Sequence, residues 1–392
     1  MRKTIAAMDF GTSKLVALVA ETSGKLRCDI TGAGIATYDG FMDGQWNAPE
    51  TLNDAIVLAI REAESQARTH IREIYIGVPS AFCSVHTVEA KVDLQGADPH
   101  VTGKDIDSLF GAATEKLGPV SGEIIHRSVC WFMVDDGKKT LEPVGNRGYE
   151  LRGLVSFIVA DRYFIDDVTA RFKAQGLTAK GCFSSPIAQA SLFIPNEERE
   201  HPAVLIDIGY LNTEVIIMEG DGLTYLETIP LGGGHIAADV AEGLDITLTA
   251  AEKIKRDYVF GLSVGQTVFE AVGASGNMET FKREDVEKIL EPRVEEICEE
   301  IKKSIEKSGV RLGSFSPIYL TGGGLSINRG GKDYLAARLE KPVRDLPRKA
   351  VKLSSPAYSS ALGLLDLIVD TMIGSIKSAD GVVGFFRGLF GN

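Results

Sequence analysis

Two segments of the chain place an Asp-x-Gly sequence directly after a run of apolar residues. The first is MDFGTSKLVA, with Asp9 and Gly11, and the second is IDIGYLNTEV, with Asp207 and Gly209. Buried strands are typically continuous apolar runs, and Gly allows a tight turn between two of them. Each segment therefore predicts a strand, a turn and a second strand, and the repetition predicts two related halves.

The rest of the chain alternates between strand and helix patterns. Apolar spacing predicts helices at 50–69 and at about 104–117, and EIYIGVP (73–79) is typical of a buried strand. A strand followed by a helix is expected at 154–176, and residues 235–307 have a mostly helical, charge-rich pattern. The alternation predicts a mixed α/β fold.

Length and charge limit the class of protein. A chain of 392 residues is expected to form two or more domains, and a net charge of −12 disfavours nucleic acid as a partner. The five cysteines have no CxxC spacing, which predicts a reducing cytoplasm without disulfides or a zinc site. The N-terminal sequence lacks a signal-peptide pattern. The sequence contains no run of about 18 uncharged apolar residues, so no membrane-spanning helix is predicted.

The first Asp-x-Gly segment has the residue types that a nucleotide with Mg²⁺ requires. A magnesium ion needs a nearby carboxylate, often acting through water, and phosphate needs small residues and backbone N–H groups. The sequence DFGTSK offers Asp9 for the metal shell, Gly11 for the turn, Thr12 and Ser13 for phosphate, and the cation Lys14.

Three later segments add candidate nucleotide contacts. Glycine runs occur in LGGGH and LTGGGLS, and TAAEKIKRD places a carboxylate and a lysine three residues apart on one helix face. The carboxylate is a candidate for the ribose hydroxyls and the lysine for the base. Taken singly, such glycine runs are also typical of structural turns. A carboxylate and a lysine at this spacing are also typical of a solvated helix face. The candidates are Gly232, Gly233, Gly234, Glu252, Lys255, Gly322, Gly323 and Gly324.

The order of these motifs resembles that of the actin-like ATPase superfamily, which includes sugar kinases and seventy-kilodalton heat-shock chaperones. Within it, essentially the whole chain resembles the FtsA family of bacterial cell-division proteins. The similar segments are IYIGVPS (74–80), LEPVGNRGYELRG (141–153), LEPRVEEI (290–297) and LTGGG (320–324). The second is the most specific, because it falls in an insert subdomain, 1C, that chaperones and actin lack.

The resemblance implies an α/β, actin-like fold of duplicated, ribonuclease H-like halves with the FtsA-type 1C insert. It also implies the following division of the chain: subdomain 1A at 1–80, 161–203 and 362–370; 1C at 81–160; 2A at 204–230 and 308–361; 2B at 231–307; a linker at 371–380; and an amphipathic membrane-targeting helix at 381–392.

The second turn departs from the family pattern Asp-Ile-Gly-Gly-Gly-Thr-Thr-Asp. Two glycines are replaced by Tyr210 and Leu211, and a threonine is replaced by Asn212. If the turn requires positive φ at either glycine, the replacement costs about 1–2 kcal/mol, and the larger side chains crowd the γ-phosphate. The alternative is a hairpin that persists only as part of the sheet.

We therefore expect ATP and Mg²⁺ binding with weak or absent hydrolysis. Further candidate contacts in the second turn are Gly209, Asn212 and Thr213, and Asp207 is a second candidate for the magnesium shell through water. No residue is an evident base for hydrolysis. The weak catalytic candidates are Asp9, Asp207 and, by its position on the helix after Pro186, Gln189.

The last twelve residues, GVVGFFRGLFGN, form an amphipathic pattern. Five apolar side chains follow the spacing of one helix stripe, which predicts insertion into a membrane surface: Val382, Phe385, Phe386, Leu389 and Phe390. A helix packed on the protein body is the alternative. Burial of each side chain contributes at most ~1.5–3 kcal/mol, so membrane attachment of a single molecule is expected to be reversible. A filament is expected to stay attached, because its linked anchors bind at high effective concentration.

The resemblance implies a filament-forming adaptor that ties the tubulin-like protein FtsZ to the cytoplasmic membrane and recruits later division proteins. The acidic C-terminal peptide of FtsZ is expected to contact Lys282, Arg283 and Arg293 within 2B, although these residues are also typical of ordinary surface charges. The expected location is the cytoplasm, peripheral on the inner face of the membrane. Alternatives are a PilM-like assembly adaptor or an active ATPase or kinase of the same fold.

Overall fold

The structure is a computed structural model that describes residues 2–23, 27–261, 267–273, 276–313, 316–347 and 355–377. Its strands are β1 (Arg2–Phe10), β2 (Lys14–Ser23), β3 (Arg27–Thr37), β4 (Phe41–Met42), β5 (Gln45–Trp46), β6 (Glu73–Val78), β7 (Cys83–Asp93), β8 (Glu123–Val134), β9 (Glu150–Ala160), β10 (Thr178–Ser184), β11 (Ala203–Ile208), β12 (Thr213–Glu219), β13 (Gly222–Ile229), β14 (Val268–Val272), β15 (Met278–Lys282), β16 (Ile318–Thr321) and β17 (Val343–Asp345).

The α-helices alternate with these strands, so the predicted mixed α/β fold is confirmed. They are α1 (Pro49–Ala67), α2 (Gly103–Leu117), α3 (Arg162–Ala174), α4 (Ser185–Phe193), α5 (Gly233–Leu244), α6 (Leu248–Asp257), α7 (Arg283–Lys307), α8 (Gly331–Leu339) and α9 (Ser359–Lys377). Within the described ranges, none of these helices is long and apolar enough to cross a bilayer.

The chain forms two compact units. Unit 1 contains Met1–Ala203, Ile216–Leu226 and Ser360–Asn392, and unit 2 contains Val204–Val215 and Glu227–Ser359. The chain thus passes between the units four times. The subdomain boundaries implied by the resemblance stay predictions.

Unit 1 contains a five-stranded sheet in the order β10-β6-β1-β2-β3. Strand β1 pairs antiparallel with β2 and parallel with β6, which places the end of β1 in the interior of the sheet. Helix α1 packs closely on β3, because a Cβ at Gly34 would lie 1.8 Å from the carbonyl oxygen of Ala59. The buried apolar residues of the sheet, α1 and α3 form one core.

A second, antiparallel sheet in unit 1 has the order β7-β9-β8 and is covered by α2. Helix α2 begins after Thr102, whose backbone N–H donates to the Asp105 carboxylate at 2.8 Å, an N-terminal capping arrangement. The predicted helix at about 104–117 is therefore confirmed. The tip of the β12–β13 hairpin packs on this sheet, and the Ser156 hydroxyl donates to the Leu223 carbonyl at 2.6 Å.

Another five-stranded sheet has the order β13-β12-β11-β16-β17, in which β11 and β16 are parallel neighbours. The predicted helical region at 235–307 contains α5, α6 and α7, together with the β14–β15 hairpin. Helix α9, in unit 1, continues to Lys377, so residues 371–377 of the predicted linker are helical. The predicted membrane helix at 381–392 lies outside the described residues.

Candidate functional site

The first Asp-x-Gly turn is held by backbone hydrogen bonds and remains partly exposed. The Gly11 N–H donates to the Lys14 carbonyl at 3.0 Å and closes the turn between β1 and β2. Tyr38, which follows β3, donates its hydroxyl to the Gly11 carbonyl at 2.7 Å and its N–H to the Ser13 carbonyl at 3.2 Å. All four residues from Gly11 to Lys14 are partly accessible to solvent. The predicted ligand turn is therefore fixed in shape and open.

A second support for this turn is Gly40, which no sequence motif marks. Its φ is +71°, and a Cβ there would lie 2.1 Å from the Thr12 carbonyl oxygen. Only Gly allows the chain after β3 to pass so close to the turn.

The carboxylate of Asp9 is buried at the end of β1 and receives two hydroxyl groups. Ser185 Oγ donates to Asp9 Oδ1 at 2.8 Å, and Ser360 Oγ donates to the same oxygen at 2.9 Å. Burial raises the pKa of Asp9, and the two hydroxyls and Lys14 partly oppose that rise. Neutral donors thus orient a buried carboxylate without neutralising it. Such a group favours a nearby cation.

The serine partners of Asp9 come from α4 and from the start of α9, and neither has a local signal in the sequence. The Ser184 N–H, just before α4, donates to His126 Nε2 at 3.2 Å. Burial lowers the pKa of His126 to about 4, so the ring is neutral and its nitrogen accepts. This bond fixes the start of the helix that carries Ser185.

Gln189, the weak candidate for hydrolysis, is buried in α4 with 1% of its surface exposed. A Cβ at Gly363 in α9 would lie 2.6 Å from the Gln189 Cα, so the two helices are in close contact there. Its catalytic role stays a prediction.

The second Asp-x-Gly turn has the same backbone hydrogen bond as the first. The Gly209 N–H donates to the Asn212 carbonyl at 2.8 Å, again three residues along the chain. Neither Tyr210 nor Leu211 has a positive φ. The strain expected of the altered turn required a positive φ at one of these two positions. That strain is therefore absent, because the turn closes with ordinary backbone angles at both replaced glycines.

The run Gly232–Gly234 supports this turn from within unit 2. Helix α5 begins inside the run rather than after it, and Gly233 and Gly234 are buried. The Gly233 N–H donates to the Gly209 carbonyl at 2.9 Å, and the Gly234 N–H donates to the Tyr210 carbonyl at 2.6 Å. These N–H groups are engaged inside the protein, so a phosphate would have to compete with backbone carbonyls for them.

The run Gly322–Gly324 follows β16 and packs against the end of β11. Gly322 has a φ of +89°, and a Cβ there would lie 2.2 Å from the Ile208 carbonyl oxygen and 2.3 Å from Asp207 Oδ1. The Gly324 N–H donates to the same Ile208 carbonyl at 2.7 Å. Gly322 and Gly324 are buried, whereas Gly323 is partly exposed and is the member of the run that is accessible to a ligand.

Helix α6 places Glu252 and Lys255 together, as their spacing predicts, but Lys255 points into unit 2. Lys255 is 2% exposed, donates to the Gly233 carbonyl at 2.9 Å and pairs with Glu252 at 2.7 Å. Burial lowers the pKa of Lys255, and Glu252 opposes that effect. A solvated helix face is therefore wrong for Lys255, while Glu252 is partly exposed and also pairs with Arg256 at 2.8 Å.

The remaining polar residues of the second turn are less accessible. Asn212 and Thr213 are buried, and the Thr213 hydroxyl donates to the Leu231 carbonyl at 2.8 Å. Asp207 is partly exposed beside Gly322. Within the described ranges, no cluster of three or more His, Cys, Asp or Glu residues has the arrangement of a metal site.

The three cations predicted to bind an acidic peptide have different surroundings. Arg283 is buried, with its guanidinium 4.5 Å from the centre of the Tyr258 ring. Arg293 pairs with Asp239 at 2.6 Å and also contacts Glu296. Lys282 is exposed at the end of β15 and is the most accessible of the three.

Known proteins of one family are similar to this chain. The family model described as "Cell division protein FtsA" matches residues 204–363. The chain is 26% identical over 390 residues to the cell division protein FtsA of Pseudomonas aeruginosa, covering 97% of this chain and 91% of that protein. The chain is thus similar to cell division protein FtsA over nearly its whole length. FtsA of Escherichia coli K12 is 22% identical over 384 residues, covering 93% of this chain and 90% of that protein.

Solved structures show which fold the chain shares with known proteins. The PilM–PilN type IV pilus biogenesis complex has a TM-score of 0.60 at 19% identity, covering 92% of this chain and 96% of that chain. MreB 5 of Spiroplasma citri bound to AMPPNP has a TM-score of 0.56 at 13% identity, covering 97% of this chain and 99% of that chain. The actin-like fold implied by the resemblance is therefore confirmed.

Proposed function

We propose that this chain is a division protein of the FtsA type, which binds ATP with Mg²⁺ and acts as a filament-forming adaptor between FtsZ and the cytoplasmic membrane. The observation that carries the nucleotide part is the first turn, in which Gly11 to Lys14 are accessible beside the buried Asp9 carboxylate. Similarity to the FtsA family model and to FtsA of Pseudomonas aeruginosa supports the cellular part. MreB 5 of Spiroplasma citri, whose structure holds AMPPNP, supports the nucleotide part by likeness of fold alone.

The buried Asp9 and the accessible residues of the first turn have proposed tasks. Asp9 would bind the magnesium shell through water, since its bonded oxygen already takes two hydroxyl donors. Thr12 and Ser13 would contact phosphate, and Lys14 would add a positive charge. When bound, the metal would neutralise phosphate charge. In unit 2, Gly323 and Glu252 are the accessible candidates for the nucleoside.

Hydrolysis is proposed to be weak or absent. Gln189 is buried, and the second turn is packed by the carbonyl bonds to Gly233 and Gly234. Among the described residues of the two turns, no accessible side chain is positioned as an evident base for an attacking water. Phosphate release should therefore be slow even where ATP binds.

Calorimetric titration of the purified full chain with AMPPNP tests the nucleotide part, with and without Mg²⁺. We expect binding that depends on Mg²⁺ and that Lys14→Ala weakens by about tenfold, the loss of one charge-assisted contact. Lys180→Ala is the matched control, because Lys180 lies on β10 of the same sheet and pairs with Glu73 at the surface. Equal binding by both variants would remove Lys14 from the site, and no binding by the native chain would refute the nucleotide function.

Sedimentation with vesicles of phosphatidylethanolamine and phosphatidylglycerol tests the membrane part. The full chain is compared with a chain ending at Asp380, which lacks the five apolar residues of the predicted helix. We expect the full chain to pellet more strongly, and more so under conditions that favour filaments, because linked anchors bind at high effective concentration. Equal pelleting of the two chains would refute the tether.

Fluorescence anisotropy with a labelled C-terminal FtsZ peptide tests the adaptor part. Lys282→Glu should weaken binding more than Lys288→Glu, a matched lysine on α7. Lys282 is chosen because Arg283 is buried and Arg293 is paired with Asp239. A peptide that binds both variants and the native chain equally would exclude Lys282 from the contact.

A further inference from the structure

Two connections of unit 1 meet at the edge of the first sheet where β6 and β10 begin. These strands are parallel neighbours, and Glu73 at the start of β6 is opposite Thr178 at the start of β10. Helix α1 leads into β6 and helix α3 leads into β10. The Thr178 N–H donates to the Arg72 carbonyl at 2.9 Å, which joins the two connections. We call residues 64–73 and 173–180 together the strand-start edge.

The strand-start edge is positively charged in a chain whose net charge is −12. Its two segments contain four arginines and lysines against two glutamates. Arg68, Arg72 and Lys173 are exposed, and none of them forms an ion pair in the part of the chain that the structure describes. These three cations are therefore accessible to an anion from outside the protein.

The two glutamates of the strand-start edge already have other partners. Glu73 pairs with Lys180 at 3.2 Å. Glu64 lies 2.7 Å from His70 Nδ1, and its carboxylate also accepts the Ile71 N–H at 2.7 Å. Neither carboxylate is paired with one of the three exposed cations.

Helix α9 ends close to the same edge. It begins near the first turn, where Ser360 donates to Asp9, and at its other end Met372 Sδ accepts the Tyr75 hydroxyl of β6 at 3.8 Å. The helix continues for five residues beyond Met372, about 8 Å at 1.5 Å per residue. The predicted linker and membrane helix therefore follow α9 on the side of the sheet where the cations lie.

We propose that the strand-start edge is a contact surface for anionic phospholipid headgroups. The inference rests on the proposed membrane function. Arg68, Arg72 and Lys173 attract the lipid phosphates, whereas the net charge of the whole chain opposes approach to the same surface. Attraction at one edge and repulsion elsewhere turn this edge toward the membrane. The five apolar residues of the predicted helix then share the attachment with the body of unit 1.

Sedimentation of the full chain with vesicles tests this surface, using phosphatidylcholine alone and phosphatidylcholine mixed with phosphatidylglycerol. We expect tighter binding to the mixed vesicles. Arg72→Gln should lower the partition coefficient on them by about fivefold, the effect of one cation near an anionic surface, and Arg72→Gln combined with Lys173→Gln by roughly 25-fold. On phosphatidylcholine alone, the variants and the native chain should bind alike.

Arg162→Gln is the matched control and should bind like the native chain. Arg162 is exposed and has no ion pair among the described residues, but it lies at the opposite end of α3 from Lys173. The two are about 16 Å apart along the helix axis, which is roughly twice the Debye length of about 8 Å at physiological ionic strength. Urea unfolding midpoints equal to that of the native chain confirm that the variants are folded.

Three results would overturn the inference: equal binding of the native chain to both vesicle types, unchanged binding of the double variant, or an equal loss in Arg162→Gln. If the native chain pellets with neither vesicle type, the proposed membrane function itself fails. That result differs from binding without a preference for the anionic lipid, which leaves the tether intact and removes only this surface.

Discussion

The turns at 9–14 and 207–212 have the same closure but different surroundings. In each, the N–H of the glycine donates to a carbonyl three residues later, Gly11 to Lys14 and Gly209 to Asn212. The first turn stays accessible over four residues. The second has two carbonyls bonded to α5, and the side chain of Tyr210 covers the start of that helix.

A turn closed by backbone groups thus tolerates large changes of side chain. The closing bond at Gly209 uses no side-chain atom, and no positive φ is needed at Tyr210 or Leu211. The absence of the two family glycines therefore does not prevent this hairpin from forming.

The largest effect should come from Gly322, which supports the second turn. Gly322→Ala combines a backbone at φ +89° with a Cβ 2.2 Å from the Ile208 carbonyl oxygen, so we expect a loss of about 3 kcal/mol in the free energy of unfolding. Urea unfolding of the variant and the native chain measures this loss. Gly323→Ala is the control, because its Cβ would make an ordinary 3.5 Å contact with Ala357, and equal losses would show that the backbone angle is not limiting.

The next effect compares the two aspartates directly. Asp9→Asn should weaken Mg²⁺-dependent AMPPNP binding by roughly 10–100-fold, as is common when a group that supports a metal is removed, and Asp207→Asn should weaken it less. Calorimetry measures both. Burial raises the pKa of Asp9, so the charged carboxylate destabilises the folded state at pH values above that pKa. The Asp9→Asn variant has no such charge and should therefore unfold at a higher urea concentration than the native chain near neutral pH. Equal loss of binding in the two variants would contradict the difference between the turns.

A smaller effect concerns Glu252, which pairs with one buried and one exposed cation. Glu252→Gln leaves Lys255 buried without its carboxylate and should cost about 2 kcal/mol, whereas Arg256→Gln should cost less than about 1 kcal/mol. Because the pKa of Lys255 is lowered by burial, the folded state gains stability as pH rises toward the ordinary lysine value. The loss in Glu252→Gln should therefore shrink at alkaline pH, and urea unfolding at two pH values detects this.

The smallest effect tests the support of the first turn by His126. His126→Phe removes the acceptor for the Ser184 N–H and should cost about 1 kcal/mol, while His126→Gln offers a carbonyl oxygen in its place and should cost less. Burial lowers the pKa of His126 from 6.5 to about 4, so the unfolded chain binds a proton first and native stability falls as pH drops through that range. A pH series of unfolding midpoints should show a shallower decline for His126→Phe, and an unchanged decline would contradict the buried neutral ring.

Periodicity and the glycine positions allowed the elements around both turns to be predicted. The strand at 73–79, the helices at 50–69 and about 104–117, and the mixed α/β class all follow from local patterns of apolar residues. The same patterns located Glu252 and Lys255 on one helix, although they did not show that Lys255 is buried.

The residues that complete the first turn could not be predicted, because they lie far away in the chain. Ser185 and Ser360 reach Asp9 across separations of 176 and 351 residues, and a serine carries no local sign of such a partner. The expected strain at Tyr210 and Leu211 was conditional on a backbone angle, which depends on how α5 packs against the turn. That packing is a tertiary property.

The four passages of the chain between its compact units have a practical consequence for dissecting the molecule. They lie at 203/204, 215/216, 226/227 and 359/360, so neither unit is a continuous piece of sequence. No single truncation yields unit 2 alone, and four cuts are needed to free it. A long continuous gene fragment would encode portions of both units. Point substitutions are therefore better suited than excised fragments to assigning an activity to one unit.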